Sequence, residues 1–176
     1  MKSGQLSFQI HSLRSVNEEQ KDLNYYSGDV ELDSSNVEIS FNFLPEINRD
    51  IAQVIDIFTH VRYVYKQDDL KVSFLHFDIV SSFRINNFDD IIKRAKKGGY
   101  SISTDHLTIL TSIAISNTRG YLAAKTEGIL KGKMLLPVLA PSEIVSKQKT
   151  NIKKDRYYFD DFIGASIANL ASNTHH

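Results

Sequence analysis

The sequence predicts an α+β protein in which strands come first and one long helix follows. Three observations carry this. Residues 50–66 and 70–86 are both rich in β-branched and aromatic side chains and flank a short polar turn, the pattern of a long antiparallel hairpin. Val37, Ile39, Phe41 and Phe43 alternate with Glu38, Ser40 and Asn42, as in a strand with one face in a core. From Ser103 the chain offers the helix N-cap types Ser103, Thr104 and Asp105 and then stays helical in character up to Gly128, a C-cap candidate.

In order, Leu6, Phe8 and Ile10 alternate with polar residues and read as a short opening strand. Residues 14–35 are polar and rich in breakers, so a long loop is expected there, with Tyr25 and Tyr26 as its aromatic exceptions. Pro45 is expected to end the second strand. In the hairpin, Ile55, Ile57, Thr59, Val61 and Tyr63 share one face of the first strand. Leu75, Phe77, Ile79, Ser81, Phe83 and Ile85 share one face of the second. A short helix is expected over Asn87–Lys97, with acids early and bases late, as the helix dipole prefers.

The long helix is apolar almost all round: Thr108, Ser112, Arg119 and Thr126 make its only polar strip. Such a helix is buried on most sides, and one sheet covers only one of them. A second layer, another copy of the chain, is therefore expected over Ile109, Ile113, Ser116, Gly120, Ala123 and Ala124, several of which are small enough for close approach. Met134 to Ile144 reads as an extended apolar connector. Residues 146–158 are basic and polar, and Phe159 to Asn173 reads as an amphipathic helix. The expected division is 1–145 as the main domain, with 146–176 as a basic linker and a C-terminal helix.

A chain of 176 residues can bury a real core. Its 41% hydrophobic and 24% charged content is that of a soluble globular protein. Formal net charge is zero, so no overall field favours nucleic acid. Lys147 to Lys154 is basic but lacks the interleaved aromatics that stack on bases. There is no cysteine, which removes thiol chemistry and cysteine-held zinc. The N-terminus has no secretory apolar run and no stretch is long enough to span a membrane, so a cytoplasmic location is expected.

Chemistry is thinly represented. No phosphate loop, dinucleotide fingerprint or nucleophile elbow is present, and no enzyme is expected. His60 and His76 face each other across the hairpin but are one or two ligands short of a metal site. They are read as strand histidines, with no metal or cofactor expected; His175 and His176, at the chain end, are set aside.

The order of elements resembles the bacterial export chaperone SecB and its relatives. SFQIHSL is similar to the family's opening strand, and RDIAQVIDIFTHVRYVYK followed by LKVSFLHFDIVSSFRI to its central hairpin, with Phe83-Arg84-Ile85 as the closing aromatic-x-Ile pair. IAISNTRG, with Arg119, occupies the place of the family's arginine-containing helix segment, and GKMLLPVLAPSEI that of its closing hydrophobic stretch. Two features depart from the family: residues 113–119 replace an aromatic-Pro-Tyr-Ala-Arg run, and the chain is neutral where typical members are acidic.

The resemblance implies a four-stranded antiparallel sheet with the long helix packed on one face, assembled as a homo-tetramer built from two dimers. It implies ATP-independent holding of unfolded polypeptides in apolar grooves, with a translocase motor as a further partner. Carried over by position, the client-binding residues would be Tyr25, Tyr26, Phe41, Phe43, Met134, Leu135 and Leu136. The alternative on the same fold is a dedicated interaction protein, serving a single partner or an antitoxin.

Overall fold

The computed structural model describes residues 4–23, 31–95, 99–130, 136, 140–148 and 151–159. Its centre is a four-stranded antiparallel sheet of β1 (Phe8–Gln20), β2 (Val37–Ile47), β3 (Val54–Gln67) and β4 (Leu70–Ile85), in the order β1-β4-β3-β2. The hairpin expected from the sequence forms its middle, with Gln67 paired to Leu70 and Asp68 in the left-handed region at φ 50°. Aspartate tolerates that conformation better than most residues. The face assignments hold along both strands: Ile57 lies opposite Ser81, Thr59 opposite Ile79 and Val61 opposite Phe77.

The opening strand differs from expectation. It runs to Gln20, into the first third of what the sequence presents as a loop. Two irregularities, between Ile10 and Ser12 and between Ser15 and Asn17, interrupt its pairing with β4. Each inserts one residue and so breaks the two-residue alternation by which a strand is recognised. Pro45 does not end β2 either: the strand continues to Ile47, with Pro45 opposite Ile57. β2 is an edge strand, where a missing N–H need cost no ladder bond.

The helix expected over Asn87–Lys97 shrinks to one turn, α1 (Phe88–Ile91). Lys93–Arg94 then forms β5, which pairs with β6 (Tyr100–Ser103). With β7 (Ile152–Lys153) and β8 (Arg156–Phe159) these make a second small sheet of order β5-β6-β8-β7. The basic stretch after 146 therefore contains a hairpin. Tyr157 and Phe159 enter the main core from it, with ring centroids 5.4 Å apart. Arg156 ties the layer together by donating from Nη2 to the Ser101 carbonyl at 2.7 Å and from Nε to its Oγ at 3.0 Å. Phe159 ends β8, so the C-terminal helix does not begin there; the rest of that segment lies outside the described residues.

The long helix is α2 (Thr104–Leu130), 27 residues. Ser103 caps it, its Oγ accepting the His106 N–H at 3.2 Å. Leu107, Leu110, Ala114, Ile115 and Leu122 are buried, in two clusters shared with the sheet. The first holds Phe43, Ile55, Ile57, Phe83 and Ile85; the second holds Val61, Tyr63, Leu75, Phe77 and Ile79. Of the polar strip read from the sequence, Thr108, Ser112 and Arg119 are half-buried and Thr126 is buried; Thr111 and Thr118 are buried as well, while Ser116 is exposed. The Thr118 and Thr126 hydroxyls donate to the carbonyls of Ala114 and Leu122, at 2.9 and 2.6 Å, so the helix satisfies both donors itself, and Thr118 Oγ1 also meets Thr59 Oγ1 of β3. The connector is likewise not extended throughout: Pro141–Lys147 is a helix, α3, with proline in its first turn. No helix among the described residues is long and apolar enough to cross a membrane.

Candidate functional site

A groove of about 220 Å³ lies where β2 meets α3 and Leu136. Ile39, Phe41, Phe43, Leu136 and Ile144 give it an apolar lining, and Lys147 and Gln148 stand at its polar end. Alternation along β2 positions the first three, since residues 39, 41 and 43 share a face. Phe43 and Leu136 are each only 1% exposed and form its floor; Phe41 is half-buried and reaches both core clusters. β2 pairs with β3 on one side only. On the other, the Phe43 carbonyl accepts a hydrogen bond from Gln148 Nε2 at 3.2 Å, so a side chain stands in for a neighbouring strand. Three residues expected to bind clients, Phe41, Phe43 and Leu136, thus converge in one place. The other four, Tyr25, Tyr26, Met134 and Leu135, lie outside the described residues.

The six residues expected at an interface fall on the outward side of α2. Ile109 is 44% exposed, Ile113 is half-buried, and Ser116, Gly120, Ala123 and Ala124 are exposed. Around a Cβ built at Gly120 there is nothing within 4 Å. Sequence reasoning also missed exposed apolar residues on β1: Ile10 is 53% exposed, and Leu13 and Val16 nearly as much. Ile10 lies opposite Phe83 and Leu13 opposite Ser81. Phe83 is in the helix-side core, and Asn117 of α2 donates to Ser81 Oγ, so both β1 residues are on the helix side of the sheet. They are three residues apart because a bulge separates them, which is why no alternation exposes them in the sequence. Farther along, Glu18 holds α2 to β1 through the Tyr121 hydroxyl and the Lys125 ammonium. The Tyr121 hydrogen bond leads in holding the Glu18 carboxyl below its usual range.

The opposite face of the sheet is polar at its centre. His60 lies directly across from Asp78, and His76 is two residues along β4. Asp78 Oδ1 meets His60 Nδ1 at 2.7 Å and His76 Nε2 at 2.9 Å, while Asn17 Nδ2 donates to Oδ2 at 3.2 Å. Burial pushes the Asp78 carboxyl up, but the hydrogen bond from His60, the charges of both histidines and the Asn17 bond outweigh it and hold the carboxyl low. The sequence presents the two histidines as facing each other; the register instead sets Asp78 opposite His60 and Arg62 opposite His76, so the histidines meet through Asp78 and not directly. Nearby, Glu46 lies across from Asp56, and burial followed by the Asp56 charge raises its carboxyl.

No family model matches this chain, and no curated protein matches it. Among solved structures, the crystal structure of a protein of unknown function from Streptococcus agalactiae is similar over 77% of this chain and 99% of its own, with 14% identity and a TM-score of 0.37.

Proposed function

We propose that this protein is a SecB-like holdase, binding extended, non-native polypeptide segments without ATP. The observation that carries the reading is the groove on β2: an apolar trough of Ile39, Phe41 and Ile144 beside an open strand edge, where Gln148 occupies the Phe43 carbonyl. A client segment entering it buries apolar side chains, at about 25 cal/mol per Å². The same segment can displace the Gln148 amide and take up strand pairing along β2, the β-augmentation mode of peptide capture. Burial has no direction and backbone pairing no sequence requirement, so such a site accepts many sequences.

Assembly belongs to the same reading. The outward face of α2, from Ile109 to Ala124, and the exposed β1 residues Ile10 and Leu13 on the helix side of the sheet are what a second copy would cover, leading to a cytoplasmic homo-tetramer of two dimers. A translocase motor is a further partner in this reading.

The test combines light scattering with a client assay. A tetramer that suppresses aggregation of a reduced, unfolded protein is expected, with suppression lost in Phe41→Asp while mass and circular dichroism stay native. A chain indifferent to unfolded clients, or a Phe41→Asp variant with full activity, would overturn the holdase. Binding to one folded partner alone would replace it with the dedicated interaction protein.

A further inference from the structure

We propose that His60, His76 and Asp78 form a binding site for one divalent transition metal of the zinc class, on the sheet face away from α2. Two imidazoles and one carboxylate are the donor set that zinc and its first-row neighbours prefer, whereas magnesium and calcium take oxygen donors. The three residues come from the two central strands, the most extensively paired part of the fold, so the backbone holds them in place. The ring atoms that meet the carboxylate, Nδ1 of His60 and Nε2 of His76, lie 2.7 and 2.9 Å from the same Oδ1. In a tetrahedral zinc site neighbouring donor atoms sit about 3.3 Å apart. A small outward rotation of the side chains is therefore enough to admit the ion, and no strand has to move.

Two further features fit a ligand site. Asn17, from β1, holds the second oxygen of Asp78 at 3.2 Å, the outer-shell support that orients a ligating carboxylate. All three side chains remain partly open to solvent, so the ion has an entry path and a fourth position for water. Glu19 and Arg62 flank His76 from β1 and β3, with charges of opposite sign.

The experiment is calorimetric titration of the full chain with zinc chloride, together with the histidine ring resonances of the same sample. One zinc per chain is expected at this site. Asp78→Asn and His76→Gln should each weaken it at least tenfold, and a double His175→Ala/His176→Ala variant should keep it. The ring signals of His60 and His76 should move on zinc addition while those of His11 and His106 stay. Equal affinity in the parent and His76→Gln, or loss of all uptake in the chain-end variant, would overturn the site. If either site variant departs from native circular dichroism, the parent's ring signals decide: zinc that leaves His60 and His76 unmoved also overturns it.

Discussion

Along β3, Ile55, Ile57, Thr59, Val61 and Tyr63 face α2, while Asp56, Phe58, His60, Arg62 and Val64 face away. The first set is fully buried; most of the second is only half-buried, Asp56 being the exception. Both faces share one backbone and one ladder of hydrogen bonds, so the difference lies in the layer above. Under α2 even the polar groups are internal: the hydroxyls of Thr59 and Thr118 meet at 2.7 Å, and Thr59 also reaches the Ile79 carbonyl at 3.1 Å. On the far face polar groups gather at the centre, where Asp78, His60, His76 and Asn17 hold one another. A sheet draws its stability from the covered side, which leaves the other free to carry polar groups.

The largest test of that contrast pairs two phenylalanines. Phe83→Ala, in the helix-side core, should cost about 3–5 kcal/mol in denaturant unfolding. Phe58→Ala, half-buried on the far face, should cost about 1 kcal/mol. Equal losses would mean that the far face is covered after all. Next comes the threonine pair. Thr118→Val and Thr59→Val should each cost about 1–2 kcal/mol, since each leaves a buried hydroxyl short of one partner, and the double variant should cost less than the sum. Strict additivity in the double-mutant cycle would show that the two hydroxyls do not interact.

A smaller effect of opposite sign is expected at Tyr63. Its hydroxyl is buried with no partner among the described residues, and burial pushes its pKa up to about 12. Tyr63→Phe should therefore raise stability by about 1 kcal/mol; a clear loss would reveal a partner for the hydroxyl. The smallest effect concerns His106 at the start of α2. Burial leads in lowering its pKa, with Arg156 adding to this and Asp105 and a Gly4 backbone hydrogen bond opposing it. Below about pH 6.5, the usual value for histidine, the unfolded chain binds a proton that the folded one resists. Stability should thus fall with acidification through this group, and His106→Gln should flatten that part of the profile. Parallel parent and variant curves between pH 7 and 5 would remove His106 from the account.

The α+β class, the central hairpin with its face assignments and a long helix with one side to a sheet are all legible in the sequence. These follow from local periodicity: a strand repeats every two residues and a helix every 3.6, and both patterns run long enough here to be read. Tertiary structure decided the rest. Bulges at β1 hid its second half, residues 14–20, inside an apparent loop. The second sheet joins residues 93–103 to 152–159, a pairing too distant and too short to leave a periodic trace. At the groove, Phe41 and Phe43 were legible as one strand face, but the approach of Leu136, Ile144 and Gln148 was not. The same holds for Asp78: its side was legible, but its place between His60 and His76 depends on the register of two strands. Register and packing belong to pairs of segments, and a single local pattern carries information about only one.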